Sequence, residues 1–305
     1  MPKKLTLLLL VVFITTAKTF AQDTTDVMSQ LENETKKDEI IYTTGTFKTT
    51  RLVTGQSTEN TAPGVLDLRI NHRFGQLNSG IYNMFGLDEA SMRWGFDYGI
   101  TKNIMAGFGR STFQKVYDVF FKIKLLRQST GKINMPITLS YVPVFAINTL
   151  KTDPPTTPKP SFSDRLSVTN QLIIGRKFSE AFSLQLMPTH IYRDKVPNVS
   201  LPYTKRNNFA MGIGGRHKIS RRVSINAEYY YQLPETQASL STNVLSLGVD
   251  IETGGHVFQL HFTNSRGMTE KAFIGETTGK WDNGDILFGF NISRVFNVKK
   301  AKNHW

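Results

Sequence analysis

Apolar and polar residues alternate with a period of two along most of the chain. In the first run, Leu66, Leu68 and Ile70 fall on one face. Asp67 and Arg69 fall on the other. Because successive side chains of a strand point to opposite faces, this alternation predicts strands with one apolar and one polar face. About twelve such runs of roughly ten residues follow one another, which is the length that a tilted membrane-spanning strand needs.

The connections between the predicted strands alternate between short and long, as in outer-membrane barrels with short periplasmic turns and longer outer loops. The short turns are 101–103, 176–181, 218–221 and 254–255, with 127–134 somewhat longer. The longer links are 75–90, 148–163, 193–206, 233–242 and 266–284, and only 112–116 is short for an outer loop. An even number of strands places both chain ends on the periplasmic side. The sequence therefore predicts an all-β fold, an antiparallel up-and-down transmembrane β-barrel over residues 64–296.

A large soluble β-sandwich would also alternate, but its strands usually run about five or six residues. Aromatic residues near the strand ends favour the barrel; they are Tyr98, Tyr141, Tyr192 and Tyr231. Closure is physically required in lipid, since bilayer hydrocarbon cannot satisfy the polar groups of an open sheet edge.

The first 21 residues predict a cleaved secretory signal peptide. Lys3 and Lys4 precede an apolar stretch at 5–17, and small residues precede a cut before Gln22. The alternative is an uncleaved anchor, which the shortness of the stretch disfavours. Export and a barrel together predict the outer membrane of a Gram-negative bacterium. The chain has no cysteine, which excludes disulfides, thiolate metal sites and a lipid-anchored lipoprotein.

Residues 22–63 precede the predicted barrel and are polar and charged at first. Residues 47–54 alternate weakly, and two interpretations stay open: this stretch enters the lumen as a plug, or it pairs as an extra strand. At the other end, residues 297–305 form a basic tail that we expect in the periplasm.

The formal net charge of +13 raises nucleic acid as a partner. However, Lys and Arg are scattered singly, no zinc-finger or helix-turn-helix signature occurs, and an exported chain has little access to DNA. The sequence therefore predicts no nucleic-acid partner. The expected partners are outer-membrane lipid and lipopolysaccharide, a small anionic solute and a periplasmic protein.

Several segments together resemble an uncharacterised family of Bacteroidota outer-membrane β-barrel proteins, a domain of unknown function. They are FKTTRLV at 47–53, HRFG at 72–75, FGLD at 85–88, YGIT at 98–101, GRS at 109–111, GGHVF at 254–258 and FGFNISRVF at 288–296. The resemblance implies fold and location, and it brings no established activity or catalytic residues. One departure is that many barrels end on an aromatic residue, whereas here Phe296 is followed by the basic tail.

The polar faces of the predicted strands carry both basic and acidic residues, which we expect to line the lumen. These residues are Asp67, Arg69, Arg73, Arg93, Asp97, Asp118, Lys122, Lys124, Arg165, Arg216, Glu228, Asp250 and Glu252. Rings of cationic side chains favour the passage of anions. The alternative is that the charges pair across a narrow interior and fill it, because buried charges are retained mainly when paired.

Three functions follow from this pattern. The leading hypothesis is a pore or transporter for small anionic or polar solutes, and the second is a non-conducting scaffold that binds partner proteins. A lipid hydrolase is the third, because His261 and Ser265 could form a catalytic pair. Residues 282–285 offer oxygen ligands for calcium, but Asn-Gly is foremost a turn signal. The sequence predicts no catalytic residue, metal site or cofactor.

Overall fold

The computed structural model describes residues 39–151, 160–193, 206–237 and 240–299, and these contain fourteen strands. The predicted signal peptide, residues 22–38 and the tail beyond 299 lie outside the described residues. The strands are β1 (Ile40–Tyr42), β2 (Val65–Gln76), β3 (Ala90–Gly99), β4 (Ile104–Ser111), β5 (Val116–Leu126), β6 (Ser129–Gly131), β7 (Thr138–Asn148), β8 (Leu166–Lys177), β9 (Phe182–Arg193), β10 (Asn207–Lys218), β11 (Val223–Gln232), β12 (Val244–Thr253), β13 (His256–Thr263) and β14 (Leu287–Asn297).

Twelve of these strands form one closed antiparallel barrel. Each barrel strand pairs with its neighbour in the chain, and β7 follows β5 because β6 lies outside the barrel. The last strand, β14, closes the barrel by pairing with β2, where Asn291 lies opposite Asn71. The predicted all-β, twelve-strand, up-and-down barrel is confirmed.

The two ends of the barrel differ, and we name them by their connections. At the turn end, β2 begins, β14 ends, and the connections 100–103, 178–181, 219–222 and 254–255 are short. The opposite end, the loop end, carries longer connections, including 77–89 and 264–286. Outside the barrel, β1 pairs with β6 in a two-stranded sheet. There the guanidinium of Arg127 lies 4.0 Å from the centre of the Tyr42 ring.

Side chains outside the barrel are large, apolar and exposed, whereas the inward ones are buried and mostly polar. On the outer face near the loop end, the rings of Phe74 and Phe288 are 5.8 Å apart, and those of His72 and Phe290 are 4.8 Å apart. So large an apolar surface is far beyond what a soluble monomer exposes, and it suits contact with lipid.

Two short α-helices connect strands: α1 (Phe162–Arg165) precedes β8, and α2 (Glu270–Gly275) lies between β13 and β14. Ser161 starts α1 with a capping box, in which its hydroxyl accepts from the Asp164 amide. None of the helices in the described part of the chain is long and apolar enough to cross a bilayer.

Candidate functional site: the occluded lumen

The lumen is occupied by residues 46–58, which we call the N-terminal hairpin. Its turn closes where the Leu52 amide donates to the Gly55 carbonyl oxygen at 2.9 Å, and Arg51 and Gln56 form a bridge. Leu52 is 1% exposed and Val53 is fully buried. Of the two interpretations that the sequence left open, the plug describes this segment, since it does not join the barrel sheet.

Glu228, on β11, holds the turn of the hairpin. Its carboxylate accepts hydrogen bonds from the backbone amides of Val53 at 3.2 Å, Thr54 at 2.8 Å and Gly55 at 3.1 Å. Successive amides of a turn converge on one anion in this way, and hydrogen bonds to a charged acceptor are stronger than neutral ones. Glu228 is therefore the main anchor of the hairpin.

Other wall side chains donate to backbone carbonyl oxygens of the hairpin and of Glu59, the residue that follows it. The donors are Gln259 to Leu52 at 2.6 Å, Asn291 to Val53 at 3.0 Å, Gln185 to Gln56 at 2.7 Å, and Lys122 to Thr50 at 2.8 Å and to Glu59 at 2.9 Å. These donors come from four different strands, so the polar interior of the barrel replaces the water that the backbone of the hairpin would otherwise bind.

Most of the thirteen sequence-predicted lumen residues are buried inside the barrel. The buried ones are Asp67, Arg69, Arg73, Arg93, Asp97, Asp118, Lys122, Glu228 and Asp250. Lys124, Arg216 and Glu252 are half-buried towards the turn end. Arg165 lies in α1 at the loop end, where its guanidinium donates to the carbonyl oxygens of Asn148 and Leu150.

Several of the buried charges pair with each other or with the hairpin. Arg93 forms a two-bond ion pair with Asp118, in which Nε and Oδ1 are 2.9 Å apart. Arg69 lies 3.5 Å from Asp67. Asp97 accepts from the Thr50 hydroxyl at 2.8 Å. Pairing of this kind is what permits charges to remain in a dry interior.

Inward-facing glycines form a seat for the hairpin, which sequence reasoning missed. A Cβ atom at Gly214 would lie 2.3 Å from Leu52 Cδ2, and one at Gly175 would lie 2.5 Å from Thr58 Cγ2. The barrel wall therefore needs glycine at these positions because the hairpin passes so close. Glycine at an inward position of a strand was the available signal.

The second inserted segment is residues 264–286, which we call the inserted loop. All six residues of α2 are buried, and the Tyr230 and Phe273 rings meet edge to face at 5.2 Å. The inserted loop touches the hairpin where Glu270 accepts from Arg51 at 2.7 Å. The two segments, one from each end of the barrel, thus meet inside it.

The apolar seat of α2 was also missed from the sequence. It consists of inward-facing side chains on β5, β7, β8, β9 and β11, among them Phe120, Val144, Ile173, Met187 and Ile191. Alternation predicts that these positions face inward but not that they are apolar, because most other inward positions of the same strands are polar.

Glu276 organises the polar part of the inserted loop. Its carboxylate pairs with Arg193 at 3.1 Å and Lys271 at 3.2 Å and accepts from Gln114 at 2.9 Å. Burial favours a higher pKa for this carboxyl, but Lys271, Arg193 and the Gln114 hydrogen bond outweigh it and hold the pKa below its ordinary value.

Cavities remain at both ends of the barrel and terminate on the two inserted segments. The cavity at the turn end has a volume of about 720 Å³ and is lined in part by Lys48, Glu59, Lys177, Arg216, Lys218 and Glu252. The cavity at the loop end has a volume of about 350 Å³ and is lined in part by Glu89, Gln114, Arg266 and Glu276. The hairpin and α2 lie between them.

His261 and Ser265, the pair on which the lipid-hydrolase alternative depends, do not bond to each other in the structure. Within the described residues, neither ring nitrogen of His261 has a hydrogen-bond partner, and the Ser265 hydroxyl accepts from Thr277 at 2.6 Å. Residues 282–285, which offered oxygen ligands for calcium, form a turn in which the Asp285 carboxylate accepts from the side-chain amide of Asn78 at 2.8 Å. No group of three His, Asp or Glu residues in the described ranges could hold a metal ion.

Comparison with known families and structures gives one extended match. Residues 47–296 match the family model described as a membrane bound beta barrel domain, DUF5777. No curated protein matches the sequence of the chain.

Among solved structures, the chain resembles several barrels at low identity. The KdgM porin in complex with disordered oligogalacturonate is 8% identical with a TM-score of 0.44, over 76% of this chain and 99% of that one. An outer membrane channel from Pseudomonas putida F1 is 10% identical with a TM-score of 0.47, over 78% and 97% of the two chains. Outer membrane phospholipase A from Escherichia coli is 10% identical with a TM-score of 0.40, over 80% and 95%.

Proposed function

This chain belongs to the DUF5777 family of membrane-bound β-barrel domains, and on that premise we propose that it is a gated channel for small anionic or polar solutes. In this proposal the N-terminal hairpin closes the part of the lumen that α2 leaves free, and its departure opens that part. The protein is an outer-membrane barrel, so its turn end faces the periplasm. The observation that carries the proposal is how the hairpin is held, by hydrogen bonds between its backbone and polar side chains of the wall.

Such contacts can be exchanged for water, because a hydrogen bond contributes only about 0.5–1.5 kcal/mol net between neutral groups and about 1.5–3 kcal/mol when one group is charged. The hairpin is continuous with β2 on one side and with β1 on the other. Only three residue pairs join β1 to β6 at the periplasmic end. The hairpin can therefore leave towards the periplasm without breaking the barrel sheet.

The charge of the emptied lumen favours anionic solutes. Lys122 and Arg73 now bind the hairpin, through the Thr50 carbonyl oxygen and the Thr54 hydroxyl, and would face water after its departure. Lys218 also occupies an inward position of its strand. Inward-facing cations of this kind attract anions into a pore.

The test joins the hairpin to the wall with a disulfide. Because the chain has no cysteine of its own, the two introduced cysteines can pair only with each other within the chain. An ideal Cβ at Gly175 lies 3.6 Å from Thr58 Cβ, within the range that a disulfide requires. We expect the oxidised Thr58→Cys/Gly175→Cys protein to pass no current in planar bilayers. Reduction of the disulfide should restore the current. Thr58→Cys alone should not respond to oxidant.

A variant lacking residues 43–60 measures the pore without its closing segment. We expect steady current that is larger for anions than for cations of equal size. If this variant folds and passes no current above that of an empty bilayer, the channel proposal is wrong.

The filled lumen also favours a second candidate, the non-conducting scaffold. Buried pairs such as Arg93 with Asp118 and Arg51 with Glu270 occupy the interior as a core would. In that case the variant lacking residues 43–60 stays silent, and crosslinking in native membranes recovers a protein partner in fixed proportion.

A further inference from the structure

The outward face of β9–β12 carries a groove of about 360 Å³ near the turn end. Its floor is formed by Gly215 and Ala227, which lie opposite each other on β10 and β11. Large apolar side chains form its walls: Phe182, Leu184, Ile213, Ile225, Tyr229 and Leu245.

The groove exists because two small residues lie among large ones. Ile213 and Ile225 are 47% and 45% exposed and rise on either side of the floor. A Cβ atom at Gly215 would lie only 2.8 Å from Leu184 Cδ2, so Leu184 leans over the floor. A narrow apolar depression on a lipid-facing wall has the shape and chemistry of a site for a hydrocarbon chain.

Cations surround the groove towards the turn end. Arg176 lies opposite Leu184 on the outward face, and its guanidinium is 5.1 Å from the centre of the Phe178 ring. His217 is exposed two residues beyond Gly215, and the exposed Arg221 and Arg222 follow in the next turn. Within the described ranges, no acidic side chain forms an ion pair with Arg176.

Two acids lie in this region, and both already have partners. Glu228 lies beneath the groove, where its carboxylate faces the lumen and accepts from the hairpin. Glu180, in the turn before β9, accepts from Lys177 at 2.8 Å. The rim of the groove is therefore basic. Such a surface attracts the phosphate of an anionic lipid, and arginine binds phosphate with two parallel hydrogen bonds.

We infer that this groove binds one anionic phospholipid of the periplasmic leaflet. The acyl chain lies over Gly215 and Ala227, and the phosphate binds Arg176. Lipid is the natural occupant because the groove is continuous with the lipid-facing wall of the barrel. A second copy of the chain fits less well, since a two-fold contact would bring the same cations face to face.

The experiment measures retained lipid by native mass spectrometry of the full chain in detergent, titrated with phosphatidylglycerol or with phosphatidylcholine of the same acyl chains. We expect the unaltered protein to retain one phosphatidylglycerol and to bind phosphatidylcholine more weakly. Arg176→Gln should weaken phosphatidylglycerol binding about fivefold, the factor expected of one arginine at a lipid surface. Gly215→Leu, which fills the floor, should weaken binding of both lipids.

Matched controls lie elsewhere on the barrel. Arg294→Gln removes a cation of the same end that also lies over a ring, 5.0 Å from the centre of Phe296, and Arg294 does not line the groove. Ala106→Leu enlarges a small outward residue on β4. Neither should change lipid retention. Retention of the heat-dependent gel shift shows that each variant has folded.

Equal binding of the two lipids by the unaltered protein would overturn the inference. Equal losses in Arg176→Gln and Arg294→Gln would also overturn it, because the charge effect would then not be local. A third contrary result is a concentration-dependent dimer that Gly215→Leu abolishes, since the groove would then hold a second copy of the chain.

Discussion

The two segments inside the barrel are bound by different kinds of interaction. The N-terminal hairpin buries Leu52 and Val53 but is bound mainly through its backbone, by the Glu228 carboxylate and by amide and ammonium donors of the wall. The inserted loop is bound mainly through side chains, since Phe273 and Ile274 are fully buried against apolar residues of the wall. Polar contacts are exchanged for water cheaply, whereas a buried apolar surface is not.

The two segments also differ in how the chain connects them. Both ends of the inserted loop continue directly into barrel strands, β13 and β14. The hairpin continues into only one barrel strand, β2. We infer that the inserted loop is a permanent part of the interior, and that the hairpin is the part that can leave.

The largest expected effect comes from the inserted loop. Phe273→Ala removes a fully buried ring and should lower the free energy of unfolding by about 3–5 kcal/mol. The measurement is a urea titration in which the heat-dependent gel shift reports the folded fraction. Phe145→Ala is the control, because Phe145 is 44% exposed on the outward face and its removal leaves no cavity. Equal losses in the two variants would contradict the assignment of α2 to the core.

An intermediate effect is expected at the anchor of the hairpin. Glu228→Gln keeps the shape of the side chain, but its amide nitrogen cannot accept from the turn, so the seated hairpin should lose about 1–3 kcal/mol. The measurement is maleimide labelling of Val53→Cys, whose position is fully buried in the seated state. Labelling should accelerate in Glu228→Gln while the barrel remains folded.

The control for that comparison is Asp285→Asn, which removes a carboxylate of the loop end away from the hairpin. It should leave the labelling rate unchanged. If Phe273→Ala accelerates labelling more than Glu228→Gln does, the two segments move together and the distinction between them fails.

The smallest expected effect is a pH dependence of the inserted loop. Because the pKa of Glu276 is lowered in the folded state, its stabilising contribution is fully present above its ordinary value of 4.5. That contribution disappears as the pH falls through the lowered value. Proteolysis in the inserted loop should therefore increase in acid, and Glu276→Gln should abolish this pH dependence. Unchanged cleavage in acid would show that the ion pairs with Arg193 and Lys271 do not hold the inserted loop.

The sequence predicts the barrel wall well because its signal is local. Alternation assigns Leu68 outward and Arg69 inward from their immediate neighbours, and the twelve-strand barrel follows from repetition of that pattern. The two-stranded sheet of β1 and β6 was not predicted, since three residues are too few to show a period.

The contents of the lumen depend on contacts between distant residues, which alternation cannot report. Gly55 lies against Glu228, which is 173 positions away in the chain. Nothing near residues 47–54 indicates that contact, so the sequence left the plug and the extra strand as equal alternatives. The sequence also did not predict the apolar seat that includes Met187, because a membrane barrel is expected to be polar inside.

The hairpin also bridges the place where the barrel closes. Arg73 of β2 donates to the Thr54 hydroxyl at 2.7 Å, and Asn291 of β14 donates to the Val53 carbonyl oxygen at 3.0 Å. One of its binding residues thus comes from the first barrel strand and another from the last. A segment that precedes the whole barrel in the chain can therefore complete its contacts only after the final strand has joined the first, and its seating marks the end of assembly.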